Sequence, residues 1–327
     1  MDLSVGTGPI APVGSRTQWE IGGPAPVGAT EVRAPVGITE WEPADLTVTV
    51  GAGTPFTELD AELAERGQEV PLDPVETRAT VGGILACGLS GPRRLRLGPV
   101  RDHVLQVWIR TADGRLVRGG GPTVKNVTGY DLPRLAVGSF GTLGLIERVT
   151  LRCRPRPASS AWFATANGAA CYRPSARLTE GEGESVLLEG LAVDIEDQAR
   201  ALRLRPIPGP PDRPRGHHVG RISVAPEVVG SVLGALPPTV RRRAELGVGT
   251  VTVAADSVDA FGTARAVARR FGGWMLRELG GASDDDGFGV PLPVGAIAAR
   301  VRGAFDPDRR MNPGRLPFVE PVGAQAS

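Results

Sequence analysis

The lone lysine among 37 basic residues is Lys125, and it lies in the run Lys125-Asn126-Val127-Thr128-Gly129-Tyr130-Asp131. The same run holds Tyr130, one of two tyrosines in the chain. A lysine ammonium is a compact three-donor group, whereas arginine is a wide planar fork. Either one lysine falls here by chance, or this position needs the smaller cation. Three glycine loops surround the question: Thr80-Val81-Gly82-Gly83-Ile84-Leu85-Ala86, Gly88-Leu89-Ser90-Gly91 and Gly138-Ser139-Phe140-Gly141-Thr142-Leu143-Gly144. Without a Cβ, glycine permits positive φ and lets backbone N–H groups approach an anion closely, and a neighbouring threonine adds a hydroxyl donor. The same glycines would also serve as plain turns. Their spacing matches neither the GxGxxG dinucleotide fingerprint nor a phosphate loop ending in GK[ST]. Together with the Lys125 run they would line one groove, suited to a long dinucleotide with a pyrophosphate and a flat ring.

Acid–base and metal chemistry are sparsely written. His217 and His218 read as exposed histidines in a Pro/Arg-rich loop, and His103, next to Asp102, reads as structural. No catalytic residue is assigned on this basis. Cys87, Cys153 and Cys171 show no CxxC spacing, so no metal, cluster or disulfide framework is expected. A net charge of +1 and 5% aromatic residues argue against nucleic-acid binding. No apolar run reaches the roughly 18 residues of a membrane span, and no signal peptide is visible, so a cytoplasmic protein without a transmembrane segment is expected.

The elements that must position these groups follow from periodicity. A chain of 327 residues, 41% hydrophobic and 22% charged, is long enough for two domains. Residues 1–40 form a Gly/Pro-rich opening without helical periodicity. Leu46-Thr47-Val48-Thr49-Val50 alternates as a strand. Thr54 is expected to cap a helix with Pro55 at its first position, ending at Gly67. Residues 76–100 read as a glycine-rich stretch, 104–109 as a strand, and Ala112-Asp113-Gly114 as a hairpin turn into 115–118. A strand over 145–152 closes the first unit at Pro155-Arg156-Pro157. Beyond it, strands near 185–191, 219–224, 249–254 and 274–279 alternate with helices near 192–202, 227–236 and 258–271. Residues 283–286 read as a solvated loop and 294–305 as a last helix. The pattern predicts an α+β fold, with domains at 1–157, 158–290 and a C-terminal helix and tail at 291–327.

Taken in order, several segments carry a resemblance: Asp45–Gly53, Thr80-Val81-Gly82-Gly83, Gly98-Pro99-Val100-Arg101-Asp102, Ala112-Asp113-Gly114 and Gly138–Gly144. They resemble the PCMH-type FAD-binding domain of the vanillyl-alcohol oxidase superfamily. Within it, Gly119-Gly120-Gly121 with the Lys125 run, and the tail Phe305–Leu316, are similar to the FAD-binding subunit of glycolate oxidase, the GlcE type. The resemblance implies a PCMH-type domain, here N-terminally shortened, followed by a smaller α+β cap domain, and FAD as cofactor. It implies that Thr80, Gly82 and Gly83 approach the pyrophosphate through backbone donors. Ser90, Gly91, Arg101 and Asp102 would line the nearby flavin pocket, and Gly138, Gly141 and Ile146 would pass under the adenine side. Lys125, Tyr130 and Asn312 would lie near the isoalloxazine. The family's first phosphate loop carries three consecutive glycines before a threonine; here the matching residues are Gly14, Ser15, Arg16 and Thr17, whose side chains limit that close approach.

The implied function is an FAD-binding subunit of a glycolate oxidase or dehydrogenase-type complex, holding a flavin for 2-hydroxy-acid oxidation or electron relay. Its implied partners are a larger flavoprotein subunit, an iron–sulfur subunit and a small 2-hydroxy acid such as glycolate, with peripheral location at the inner membrane through the complex. Two alternatives stay open: a self-contained FAD-dependent oxidoreductase, and a flavin-free assembly subunit of the same complex.

Overall fold

The computed structural model describes residues 7–23, 26–121, 131–281, 287–288 and 295–316. Two compact units result: residues 1–90, 99–156 and 291–327 form the first, and residues 91–98 with 157–290 the second. The core of the first unit is an antiparallel five-stranded sheet in the order Ile38–Glu42, Thr47–Gly51, Leu145–Arg152, Val104–Arg110, Leu116–Gly120. Its central strands bury Val48, Val50, Val107, Ile109, Val149 and Leu151. Thr49 and Thr150 are cross-strand partners whose hydroxyls lie 2.9 Å apart, so a buried polar pair satisfies itself inside the sheet.

Helix Phe56–Ala64 packs on this sheet through Leu59 and Leu63. Thr54 does not cap it, contrary to expectation: Pro55 is the N-cap residue. The Thr54 hydroxyl instead donates to the Gly51 carbonyl at 2.6 Å and accepts from the Gly37 N–H at 2.8 Å. The glycine-rich stretch also resolves differently, because it contains the helix Val81–Cys87. Thr80 caps that helix, its hydroxyl accepting from the Gly83 N–H, and Val81, Ile84 and Leu85 supply an i, i+3, i+4 apolar face strong enough to override two glycines. Burial pushes the Cys153 thiol up to about 12, so this cysteine is a packing group.

The C-terminal tail is stitched to the opening segment. Met311 bridges Ile10 in parallel register, the Ile10 N–H donates to the Arg310 carbonyl at 2.7 Å, and the Asn312 N–H donates to the Ile10 carbonyl at 2.7 Å. Strands Ile10–Pro12 and Thr30–Val32 pair in parallel beside it.

The second unit is built on an eight-stranded sheet in which every pairing is antiparallel. Helix Val258–Arg270 buries Phe261, Ala264, Val267 and Ala268 in a core with Ile222, Val251, Val253 and Met275 of the sheet. On the strands His218–Ser223 and Arg241–Glu245, the positions of opposite parity to the core residues Ile222 and Ala244 carry charge: Arg221, Arg243 and Glu245 are all buried. Four strands here fall outside the sequence expectation, Ser159–Thr165, Ala176–Thr179, Arg205–Ile207 and Arg241–Glu245. His218 also departs from its expected loop. It opens the strand His218–Ser223, and its Nδ1 accepts from the Gly281 N–H at 2.8 Å, which is a structural use of the ring.

Candidate functional site

A cleft of about 810 Å³, counted out to its open mouth, lies within the first unit. Four segments meet around it: the loop Pro12–Trp19, the start of helix Val81–Cys87, the loop Phe140–Ile146 and the tail at Asn312 and Arg315. Close backbone approach brings them together. A Cβ at Gly14 would stand 2.3 Å from Thr80 Oγ1, and one at Gly82 would stand 2.9 Å from the Ala52 carbonyl oxygen. Gly141, at φ +72°, lets its loop pass the Asn312 amide.

The donors of this cleft are on the first loop. The backbone N–H groups of Gly14, Ser15, Arg16 and Thr17 have no hydrogen-bond partner among the described residues. Arg16 sits among them at φ +58°, and successive N–H groups around a left-handed residue form an anion-binding concavity. Arg33 donates to the Gly14 carbonyl at 2.8 Å, which fixes the loop from behind. The helix start is not a donor site. The Val81, Gly82 and Gly83 N–H groups donate to Thr54 O, Ala52 O and Thr80 Oγ1 at 2.9, 2.7 and 3.2 Å. Gly82 therefore contributes a missing side chain, which lets the helix start meet Ala52, and not a free amide; at the first loop it is Gly14 that allows the approach to Thr80.

The acceptors are elsewhere. Asn312, 6% exposed and at φ +47°, donates through Nδ2 to the Phe140 carbonyl at 2.6 Å, leaving its buried Oδ1 without a partner among the described residues. Gln18 Oε1 is a second buried acceptor of this cleft without a partner among the described residues. A buried oxygen of this kind costs stability unless a bound group supplies the donor. Trp19 completes the rim, with the Arg16 guanidinium 5.2 Å and the Arg315 guanidinium 5.4 Å from its ring centre.

The cleft brings together Gly14, Ser15, Arg16, Thr17, Thr80, Gly82, Gly83, Gly141, Ile146 and Asn312. Gly138 is near but faces elsewhere, its N–H donating to Leu85 O at 2.9 Å. Ser90 is buried and its hydroxyl accepts from the Val100 N–H at 3.1 Å, while Gly91 belongs to the second unit. Arg101 and Asp102 are exposed, within 3.8 Å of each other, and Asp102 also meets Arg134 at 3.6 Å. Lys125 and Tyr130 lie outside the described residues. Sequence reading missed Gln18, Trp19 and Arg315; only the tail motif ending near Arg315 gave a signal. The described lining residues include no carboxylate and no imidazole.

Comparison with known proteins agrees with this geometry. Residues 7–120 match the model of a family described as an FAD binding domain. The glycolate oxidase subunit GlcE of Escherichia coli is 42% identical over 154 residues, 46% of this chain and 44% of that protein. A D-lactate dehydrogenase of Archaeoglobus fulgidus is 39% identical over 137 residues, 41% of this chain and 31% of that protein. The chain thus spans less than half the length of either relative. Among solved structures, an alkyldihydroxyacetonephosphate synthase superposes with a TM-score of 0.67 at 14% identity, covering 94% of this chain and 73% of that one, which is a likeness of fold. The cleft fits the cofactor: a run of open N–H groups suits a pyrophosphate, and orphaned Gln18 and Asn312 oxygens suit the N–H and O–H groups of a flavin dinucleotide. The chain carries a PCMH-type FAD-binding domain with FAD as its cofactor, the cofactor domain of the FAD-dependent oxidoreductases it resembles.

Proposed function

We propose that this chain is the FAD-holding subunit of a glycolate oxidase-type complex that oxidises a small 2-hydroxy acid such as glycolate. The observation that carries the reading is the composition of the cleft: donors and acceptors for a dinucleotide, with no carboxylate or imidazole among its described lining residues. A hydroxy-acid oxidation needs a base near neutral pKa; to this chain we assign the holding of a flavin and the relay of electrons. Bound FAD supplies two-electron redox chemistry; the protein supplies binding and orientation. The amides of Gly14–Thr17 would hold the pyrophosphate. Asn312 would orient a donor of the cofactor, and the apolar walls, including Ala52, Leu145 and Ile146, would exclude water. Lys125 and Tyr130 would lie by the isoalloxazine.

Both relatives named above carry the name of a 2-hydroxy-acid oxidoreductase, and one is named as a subunit. Partners would be a larger flavoprotein subunit and an iron–sulfur subunit, with peripheral location at the inner membrane through the complex. Among the described residues no helix is long and apolar enough to cross a membrane.

The test is flavin content and dye-linked glycolate turnover, measured for the chain alone and co-purified with a larger glycolate oxidase flavoprotein subunit. Flavin retained by the chain alone, with turnover only in the complex, is the expected result. Steady turnover by the single chain would replace this reading with a self-contained oxidoreductase, and absence of flavin in both samples with an assembly subunit. A finer check follows from the loop–helix contact. Gly14→Ala is expected to weaken FAD binding about tenfold and to cost about 1–3 kcal/mol, because the new methyl overlaps Thr80.

A further inference from the structure

We infer that Arg16 is an exchangeable pyrophosphate ligand, for whose guanidinium Glu31 competes with the phosphates of FAD. The inference rests on the assignment of FAD to this cleft. It starts from a conflict. Residue 16 occupies the left-handed region, where an arginine is strained and a glycine is not. The backbone alone would favour glycine, so the arginine needs a compensating use.

Its present contact is a weak candidate for that use. The Arg16 guanidinium pairs with Glu31, but the two side chains are 49% and 43% exposed. An ion pair this open to water contributes little and is readily exchanged. The competing partner is stronger. A pyrophosphate in the concavity of Gly14–Thr17 would sit against the amide of Arg16 itself, and a guanidinium binds phosphate oxygens through paired, charge-assisted hydrogen bonds.

The surroundings separate a mobile cation from a fixed one. Arg315 is buried and donates to the Ile21 and Trp19 carbonyls, so it is anchored. Arg16 is exposed and has its guanidinium over the same Trp19 ring. The ring face is a platform over which a planar cation keeps its attraction while its hydrogen-bond partner changes. Glu31, on the strand Thr30–Val32, then acts as an internal competitor that sets how tightly FAD is held.

The experiment is a titration of FAD into the flavin-stripped full chain, followed by quenching of flavin fluorescence, with riboflavin as the phosphate-free control. Arg16→Gln should weaken FAD about tenfold, and Glu31→Gln should tighten it about threefold, as expected for gain or loss of one partly exposed charge contact. Neither should move riboflavin binding, and Glu31→Gln should have no effect in the Arg16→Gln background. Arg16→Lys, which keeps the charge, should recover part of the loss. FAD binding by the wild type with affinities unmoved by these substitutions would overturn the inference alone. So would tighter binding by Arg16→Gln, which would reduce Arg16 to a source of backbone strain. A folded wild type that binds no FAD would remove the cofactor assignment and this inference with it.

Discussion

Asp306→Ala is expected to destabilise the first unit by about 2–5 kcal/mol and to lower FAD affinity at least tenfold. The carboxylate is fully buried, and each oxygen has a task. Oδ1 accepts from the Arg310 N–H at 2.9 Å and Oδ2 from the Met311 N–H at 2.7 Å. Removing both acceptors leaves two amides without partners, at about 1–3 kcal/mol each. The damage should reach the cleft along the chain, because Met311 bridges Ile10 and Asn312 follows directly. Asp306→Asn keeps one acceptor oxygen and should lose about half as much. Urea unfolding and FAD titration of the same samples decide the matter. Wild-type FAD affinity in a destabilised Asp306→Ala protein would detach the tail from the flavin site.

Glu278→Ala is expected to cost about 3–5 kcal/mol in the second unit, the range for stripping one partner from a buried ion pair. Glu278 Oε1 accepts from Arg221 Nε at 2.8 Å, and its other oxygen meets Arg213. Both Arg221 and the Glu278 carboxylate are almost fully enclosed. Burial pushes the Glu278 carboxyl up, but Arg221 and Arg213 outweigh it and hold the group below the usual carboxylate value. With a depressed value in the folded state, its contribution is present above the unfolded carboxylate pKa. It is lost as pH falls through the folded value. The wild type should therefore show an acid-side loss of stability that Glu278→Ala lacks. Hydrogen exchange of the amides of His218–Ser223, measured against pH, would register this locally. FAD affinity should stay unchanged, since the cleft lies in the other unit. Equal protection of these amides in wild type and variant would show the pair to be dispensable.

Much of the scaffold was legible because local pattern and tertiary role coincide. Thr47–Gly51, Val104–Arg110 and Leu145–Arg152 alternate or run apolar as buried strands must, and helix Val258–Arg270 shows a continuous apolar stripe. The Gly14–Thr17 loop and Asn312 were recognisable only through family resemblance, because a four-residue loop and one amide carry no periodicity. Arg241–Glu245 shows the opposite case. Arg-Arg-Arg-Ala-Glu holds a single apolar residue, yet it pairs with Thr250–Ala255 and buries Arg243 and Glu245. Arg243 and Glu245 bear on each other within the strand, and Arg221, distant in sequence, also acts on Glu245.

By itself, then, the sequence determined the α+β class, the positions of the strands and helices with a clear apolar period, and the glycines at which the backbone can turn or come close. Those are consequences of side-chain period and of the missing Cβ, both local properties. Only the tertiary structure decided what each polar group does. It gave the amides of Val81, Gly82 and Gly83 to Thr54, Ala52 and Thr80, and left those of Gly14–Thr17 open among the described residues. It also carried Asn312 and Arg315 back to the opening loop. Whether a hydrogen-bonding group is free for a ligand depends on which distant atom reaches it first, and no window of neighbouring residues contains that information.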